Sequence, residues 1–264
     1  MQLQSIISYP IKSINGISLR EAVVFEHGLH FDRNWMLVNA KHEFITRRSY
    51  PQLAQIRISE SESHFQLIVN GHELLISKQS TDTETDIHSH VWDTPVVVKS
   101  ASQEASQFFS DFLNEDVRLV HLPLPTQRLE KNKQTGQGIP SSLADSFPLL
   151  ICGTASLQAL NERLDYPASM DYFRPNLVIE TITPFEEDSW NVLQVGDVIF
   201  EGVKKCGRCS MINVNPQTGE VRSDVMRGLA SFRKDGNGVY FGKLFRPVRS
   251  SGNINLTSPI LVAS

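Results

Sequence analysis

Asn70-Gly71, set between two apolar runs, narrows the possible folds more than any other feature of this chain. A type I′ turn needs positive φ at both central residues, and this pair tolerates it, so the flanking runs are expected to pair as an antiparallel hairpin. The first hundred residues repeat the pattern. Short β-branched or alternating runs, Ile6-Ile7-Ser8, Ala22-Val23-Val24-Phe25, Trp35-Met36-Leu37-Val38, Gln55-Ile56-Arg57-Ile58-Ser59 and Phe65-Gln66-Leu67-Ile68-Val69, are separated by Asn15-Gly16, His27-Gly28 and Asn39-Ala40. Strands broken by turn-formers at such short intervals predict an antiparallel barrel or sandwich.

The period changes after Ser102. Ala105, Phe108, Phe109, Phe112 and Leu113 fall on one face of a helix, for which Ser100 with Gln103 could supply a capping box. Thr154 as N-cap and Leu157, Leu160 and Leu164 signal a second helix. Strands resume at Asn176-Leu177-Val178-Ile179, Val198-Ile199-Phe200, Met211-Ile212-Asn213-Val214 and Ile260-Leu261-Val262. Two polar stretches interrupt the pattern: 81–90 reads as an exposed loop, and 127–142 as a linker or mobile loop. The expected class is mixed α+β and β-rich, with a boundary between 1–122 and 123–264.

With 25 Lys and Arg against 29 Asp and Glu, the net charge of −4 supplies no global field for nucleic acid. No basic segment precedes an apolar run at the N-terminus, and no stretch of about 18 apolar residues occurs, so a cytoplasmic protein without a membrane partner is expected. Cys152, Cys206 and Cys209 are too few, and odd in number, for a disulfide framework. Phosphate-loop, dinucleotide, serine-hydrolase and H-E-x-x-H signatures are absent, which removes support for nucleotide hydrolysis, dinucleotide redox and serine hydrolysis.

Cys206-Gly207-Arg208-Cys209 carries the chemical interest. A thioredoxin-type pair needs a helix after the second cysteine, and the apolar alternation ending at Pro216 argues against one. Structural zinc needs four ligands, but there is no second C-x-x-C, and His88 and His90 lie far off in a polar run. One thiolate as a metal ligand, with Lys204, Lys205 and Arg208 favouring the anionic sulfur, is the third possibility. The plain alternative is two small buried hydrophobes at a strand turn. Arg33, Arg47, Arg48 and Arg174 are guanidinium forks suited to phosphate, though each alone is as well explained by solvent or an ion pair. Lys12-Ser13 is unremarkable by itself, and Asp145 could simply cap a turn.

Taken in order, Tyr9-Pro10-Ile11-Lys12-Ser13, Asp32-Arg33-Asn34-Trp35, Thr46-Arg47, Ala144-Asp145-Ser146-Phe147-Pro148, Phe173-Arg174-Pro175-Asn176, Glu187-Asp188-Ser189-Trp190, Val195-Gly196-Asp197 and Cys206-x-Arg208-Cys209 resemble the MOSC superfamily. The nearest branch holds the mitochondrial amidoxime-reducing component and YcbX-like bacterial reductases. The resemblance implies an N-terminal MOSC β-barrel module over 1–122 and a MOSC β-barrel domain with a few helices over 123–264. It implies a molybdenum cofactor, Mo-molybdopterin of the sulfite-oxidase type, with Cys209 as metal ligand. Lys12, Ser13, Arg33, Arg47, Arg174, Asn176 and Arg208 fall on the cofactor-contacting motifs. Asp145 matches a position near the metal, with a positioning or proton role. The implied activity is reduction of small N-hydroxylated compounds such as hydroxylaminopurines, amidoximes and hydroxylamines. Three cysteines cannot supply the four thiolates of a [2Fe-2S] cluster, so electrons are expected from a separate ferredoxin- or flavoprotein-type donor. Unlike its relatives, the chain is expected to have neither a C-terminal ferredoxin domain nor an N-terminal targeting segment. The alternative is a cofactor-binding or sulfur-carrier protein acting through a persulfide on Cys206 or Cys209.

Overall fold

The computed structural model describes residues 1–79, 85–123, 128–133, 135–248 and 251–263. Asn70 and Gly71 take φ of 51° and 79°, and they join His64–Val69 to His72–Ser77 as an antiparallel hairpin with Val69 opposite His72. Arg57–Glu60 adds a third strand. Alternation puts Phe65, Leu67, Val69, Leu74 and Ile76 on one face, where they meet Ala105, Phe109 and Leu113 of helix α1 (Gln103–Leu113).

Behind this unit lies a four-stranded sheet in the order Trp35–Asn39, Val117–His121, Thr94–Ser100, Asp86–Val91. Leu37 and Leu119 face the first core, whereas Met36, Val38 and Val120 face a second. Apolar residues on both faces explain why these runs are continuous in sequence rather than alternating.

A nine-stranded sheet organises the rest. Its path runs Ile17–Leu19, Leu3–Ser8, Leu177–Ile179, Leu149–Gly153, Gly238–Pro247, Val198–Gly207, Val192–Val195, Ile260–Ala263, with Lys234–Asp235 off the path. Leu149–Gly153 and Leu177–Ile179 are parallel, with α2 (Thr154–Asn161) in the connection between them. The helix α3 (Asp224–Arg233) precedes the long strand Gly238–Pro247. Strands from the start of the chain therefore belong to the sheet built by its end, and Ser251–Asn255 pairs back with Glu21–Phe25. The fold is mixed α+β and β-rich, as expected. No helix among the described residues is long and apolar enough to cross a membrane.

Several local expectations change. Ser102, not Ser100, caps α1, its hydroxyl accepting from the Ala105 N–H at 3.1 Å. Gly153 is the N-cap of α2 and Thr154 its first residue; the Thr154 hydroxyl instead accepts from the Thr181 N–H at 3.0 Å. Gln55 ends the short 3-10 helix Pro51–Gln55 before its strand begins. Met211-Ile212-Asn213-Val214 is not a strand but mostly the 3-10 turn Ser210–Asn213, because the Cys209 carbonyl takes the Ile212 N–H at 3.3 Å and the Ile212 side chain folds inward to full burial.

The polar run 81–90 is not an open loop at its described end: Asp86–Val91 is a strand with Ile87, Ser89 and Val91 inward; 81–84 lie outside the described residues. The stretch 127–142 contains the hairpin Arg128–Lys131 and Gly138–Ser141 rather than a linker, while Gln127 and Gln134 lie outside the described residues.

Candidate functional site

A cleft of about 320 Å³ opens where segments from both parts of the chain meet. Its walls include Lys12, Ser13, Arg33, Asp145, Arg174, Asn176, Arg208 and Cys209. Eight of the nine expected site residues, scattered from 12 to 209, thus share one concavity; Arg47 is the exception.

The thiol comes from the long strand Val198–Gly207, which runs out just before Cys209. The 3-10 turn that follows leaves Cys209 exposed. Cys206, three residues earlier, is buried with Phe173, Phe241 and Leu244. Between them the Arg208 guanidinium bridges the Cys206 Sγ at 3.0 Å and the Phe173 carbonyl at 2.8 Å. The two cysteines therefore have different environments: Cys206 borders the cleft but is buried, and Cys209 is the exposed thiol. Cys152 is buried too, and burial pushes its thiol well above the ordinary value.

The opposite wall is the segment that leaves the strand Leu3–Ser8. Tyr9 is buried, with the guanidinium groups of Arg33 and Arg174 at 4.3 Å and 4.2 Å from its ring centre. Arg33 is fixed by Asp32 at 2.5 Å, by the Asn176 side-chain oxygen at 3.0 Å and by the Arg174 carbonyl at 3.1 Å. Arg174 donates to the Ile14 carbonyl at 2.5 Å. Asn176 also accepts from the Leu150 N–H at 3.1 Å and donates to the Ile7 carbonyl at 3.2 Å, so its amide is spent on orienting its neighbours. Lys12 donates to the Leu143 carbonyl at 3.0 Å and pairs with Asp145.

Backbone conformation sets this wall as much as packing does. Ser13, Arg33, Arg174 and Trp92, all lining the cleft, have φ of 70°, 50°, 57° and 54°. Non-glycine residues rarely occupy this region, and such strain gathers where surroundings impose it, often at ligand sites.

The electrostatics are lopsided. Burial, with repulsion from Arg47 and Arg33, brings Arg174 down to about 9, still a cation at neutral pH. Burial lowers Arg47 to about 10, and it lowers Lys12 although Asp145 opposes the shift. Burial raises the Tyr9 hydroxyl despite both arginines. Burial would also raise Asp145, but Lys12, Arg48 and the Trp92 N–H outweigh it and hold the carboxyl at about 2.

Lys12, Arg33, Arg48, Arg174, Lys204 and Arg208 thus face a single lining carboxylate. The Ser13 hydroxyl and the Arg208 Nε are buried without a hydrogen-bond partner among the described residues. Buried donors are rarely left unmade, so these two, with the surplus of cations, fit an anionic group carrying phosphate. An exposed thiol at the same cleft fits a soft metal ligand. Among the described residues no three His, Cys, Asp or Glu side chains gather around a metal ion, which leaves the zinc reading without a cage.

Arg47 stands behind the wall, where its Nε bonds the Ser13 carbonyl at 3.0 Å and its terminal nitrogen the Asn15 side chain at 2.8 Å. The arginine that enters the cleft is Arg48, with one N–H 3.5 Å from the Cys209 sulfur. Both arginines lie in the turn 47–49 that follows Ile45, where Arg47 folds inward to burial and Arg48 swings out over Trp92, a choice that no period in the sequence marks. Trp92 is the second residue missed. It sits at a hairpin tip just past the polar run 81–90, whose composition gives no hint of a strand.

Two family models cover most of the chain: the MOSC N-terminal β-barrel domain over 1–116 and the MOSC domain over 140–260. The chain belongs to the MOSC family. Among its relatives, the mitochondrial amidoxime reducing component 2 of Rattus norvegicus is 30% identical over 237 residues, covering 85% of this chain and 70% of that protein. The mitochondrial amidoxime-reducing component 1 of Homo sapiens is 29% identical, covering 96% and 80%. A molybdenum cofactor sulfurase of Oryza sativa subsp. japonica is 27% identical over 92% of this chain but only 32% of its own length.

Proposed function

We propose that this chain is a molybdenum-cofactor-dependent reductase of N-hydroxylated compounds. The observation that carries the reading is the accessible Cys209 thiol at a cleft whose buried cations and unpaired donors call for an anionic, metal-bearing ligand. Relatives named amidoxime-reducing components support the reaction class.

In this reading Cys209 holds the metal of a sulfite-oxidase-type molybdopterin. Lys12, Ser13, Arg33, Arg174 and Arg208 hold its anionic part, Asn176 orients Arg33, and Arg47 fixes the Ser13 segment from behind. When bound, the cofactor supplies the two electrons that, with two protons, convert an N-hydroxy group to the amine and water. The protein anchors, orients and stabilises charge. Asp145 remains a carboxylate at neutral pH and fixes Lys12 and Trp92. Both modules, 1–122 and 123–264, contribute side chains to the cleft. In this reading a ferredoxin- or flavoprotein-type donor protein supplies the electrons.

The test is molybdenum and pterin content of wild type and Cys209→Ala protein from a host that makes the cofactor. Equimolar metal in wild type, lost in a folded Cys209→Ala variant, supports the reading, whereas wild type with neither metal nor pterin overturns it. A sulfur-carrier role has one observation behind it: the exposed Cys209 beside Arg48 also suits a persulfide. Mass spectrometry finding that persulfide in metal-free protein would favour it. The buried Cys206, bonded to Arg208, is a poorer persulfide site.

A further inference from the structure

Resting on the reductase reading, we propose that Trp92 and Arg48 form its substrate subsite, selecting flat N-hydroxylated heteroaromatic compounds over compact ones. Trp92 occupies the tip between Asp86–Val91 and Thr94–Ser100, at the cleft wall. It is 49% exposed, whereas Trp35 and Trp190, the other tryptophans of the chain, are buried. An indole left half in water forgoes a large apolar burial, yet this one is tightly held. Its N–H donates to Asp145 at 3.2 Å, its ring meets Phe44 edge-on at 5.5 Å, and the Arg48 guanidinium lies 4.6 Å from its centre. The backbone accepts a left-handed conformation to place it there.

Arg48 connects this platform to the chemistry. Its one hydrogen bond among the described residues goes to the Cys209 sulfur at 3.5 Å, which leaves most of its five N–H donors uncommitted. Arg48 therefore touches both the exposed aromatic face and the thiol assigned to the metal. A planar ring lying on the pair brings its N-hydroxy group beside that thiol, within reach of free guanidinium donors. A compact hydroxylamine has no ring to stack and gains only the polar contact. Stacking of a base on an aromatic side chain contributes enough to change affinity by about tenfold or more.

The experiment uses cofactor-loaded wild type, Trp92→Leu, Trp92→Phe and Arg48→Lys proteins. It compares kcat/KM for hydroxylaminopurine with that for hydroxylamine, using one chemical reductant. Adenine binding is measured alongside by calorimetry, and in wild type by quenching of the exposed Trp92 fluorescence. In Trp92→Leu the hydroxylaminopurine-to-hydroxylamine ratio should fall about tenfold and adenine affinity should drop in step, with Trp92→Phe recovering most of both. Arg48→Lys should lower the ratio less, because an ammonium loses the flat stacking surface but keeps the charge. Equal proportional losses with both compounds, or wild-type adenine affinity in Trp92→Leu, would overturn the assignment. The adenine titration needs no turnover, so it decides the subsite even if wild type reduced neither compound, a result that would sink the reductase reading alone.

Discussion

Asp145 lies between Lys12 and the Trp92 indole, and the balance among them sets what it can do. A carboxyl held at about 2 by Lys12 against the pull of burial gives up its proton far below neutrality. It is a poor acid for the proposed reaction and a good anchor. Its folded value is depressed from the ordinary 3.8, so the pair stabilises the fold fully above 3.8 and stops doing so as pH falls through about 2. The Asp145 side chain is 43% exposed, and solvent screening limits the gain to about 1 kcal/mol. Urea unfolding of wild type and Asp145→Asn should show that gap at neutral pH and its disappearance toward pH 2; a gap that persists in acid would mean another interaction is responsible. At this scale the motif residues were legible one by one. That Arg48 rather than Arg47 enters the cleft is not legible, because adjacent arginines in a turn carry no periodicity that says which one points inward.

The hairpin Arg128–Lys131 and Gly138–Ser141 does more than connect the two parts of the chain. Arg128 is buried and donates to the carbonyls of Ser142, Ala144 and Ser146 at 3.1, 2.6 and 3.4 Å, and to Glu130 at 2.6 Å. One guanidinium therefore shapes the loop that carries Asp145. Arg128→Met should cost about 3 kcal/mol in urea unfolding, since it strands buried carbonyls and breaks a partly buried ion pair. It should also weaken pterin retention, because the Lys12 partner shifts with the loop. A variant as stable as wild type would show that the loop holds its own shape. From sequence this stretch reads as a linker because polar residues and prolines dominate it. The burial of Arg128 depends on carbonyls 14 to 18 positions away, which local composition does not reveal.

Across the whole molecule, the two modules recognised in the sequence do not correspond to two separate sheets. Leu3, Ile6, Ala22, Val24 and Leu29 share one core with Leu149, Ile151, Leu177, Trp190, Phe200 and Phe245. Leu3–Ser8 and Glu21–Phe25 find partners in Leu177–Ile179 and Ser251–Asn255. Fragments 1–122 and 123–264 should each give poorly dispersed amide spectra when made alone and recover native dispersion when refolded together. A well-dispersed spectrum from 1–122 by itself would show that its core is sufficient without those strands. The sequence by itself determined the β-rich class, the Asn70-Gly71 hairpin, the face of α1 and the residue types of the site, because each follows from local backbone preference, side-chain periodicity or a motif readable in order. Only the tertiary structure decided that Cys209 is open and Cys206 closed, that Trp92 and Arg48 stand at the cleft, and that the first strands complete the last sheet. Those outcomes depend on contacts across tens to hundreds of positions, such as Arg208 with Phe173, Trp92 with Asp145 and Leu3–Ser8 with Leu177–Ile179, where burial and strand pairing are settled by the whole chain at once.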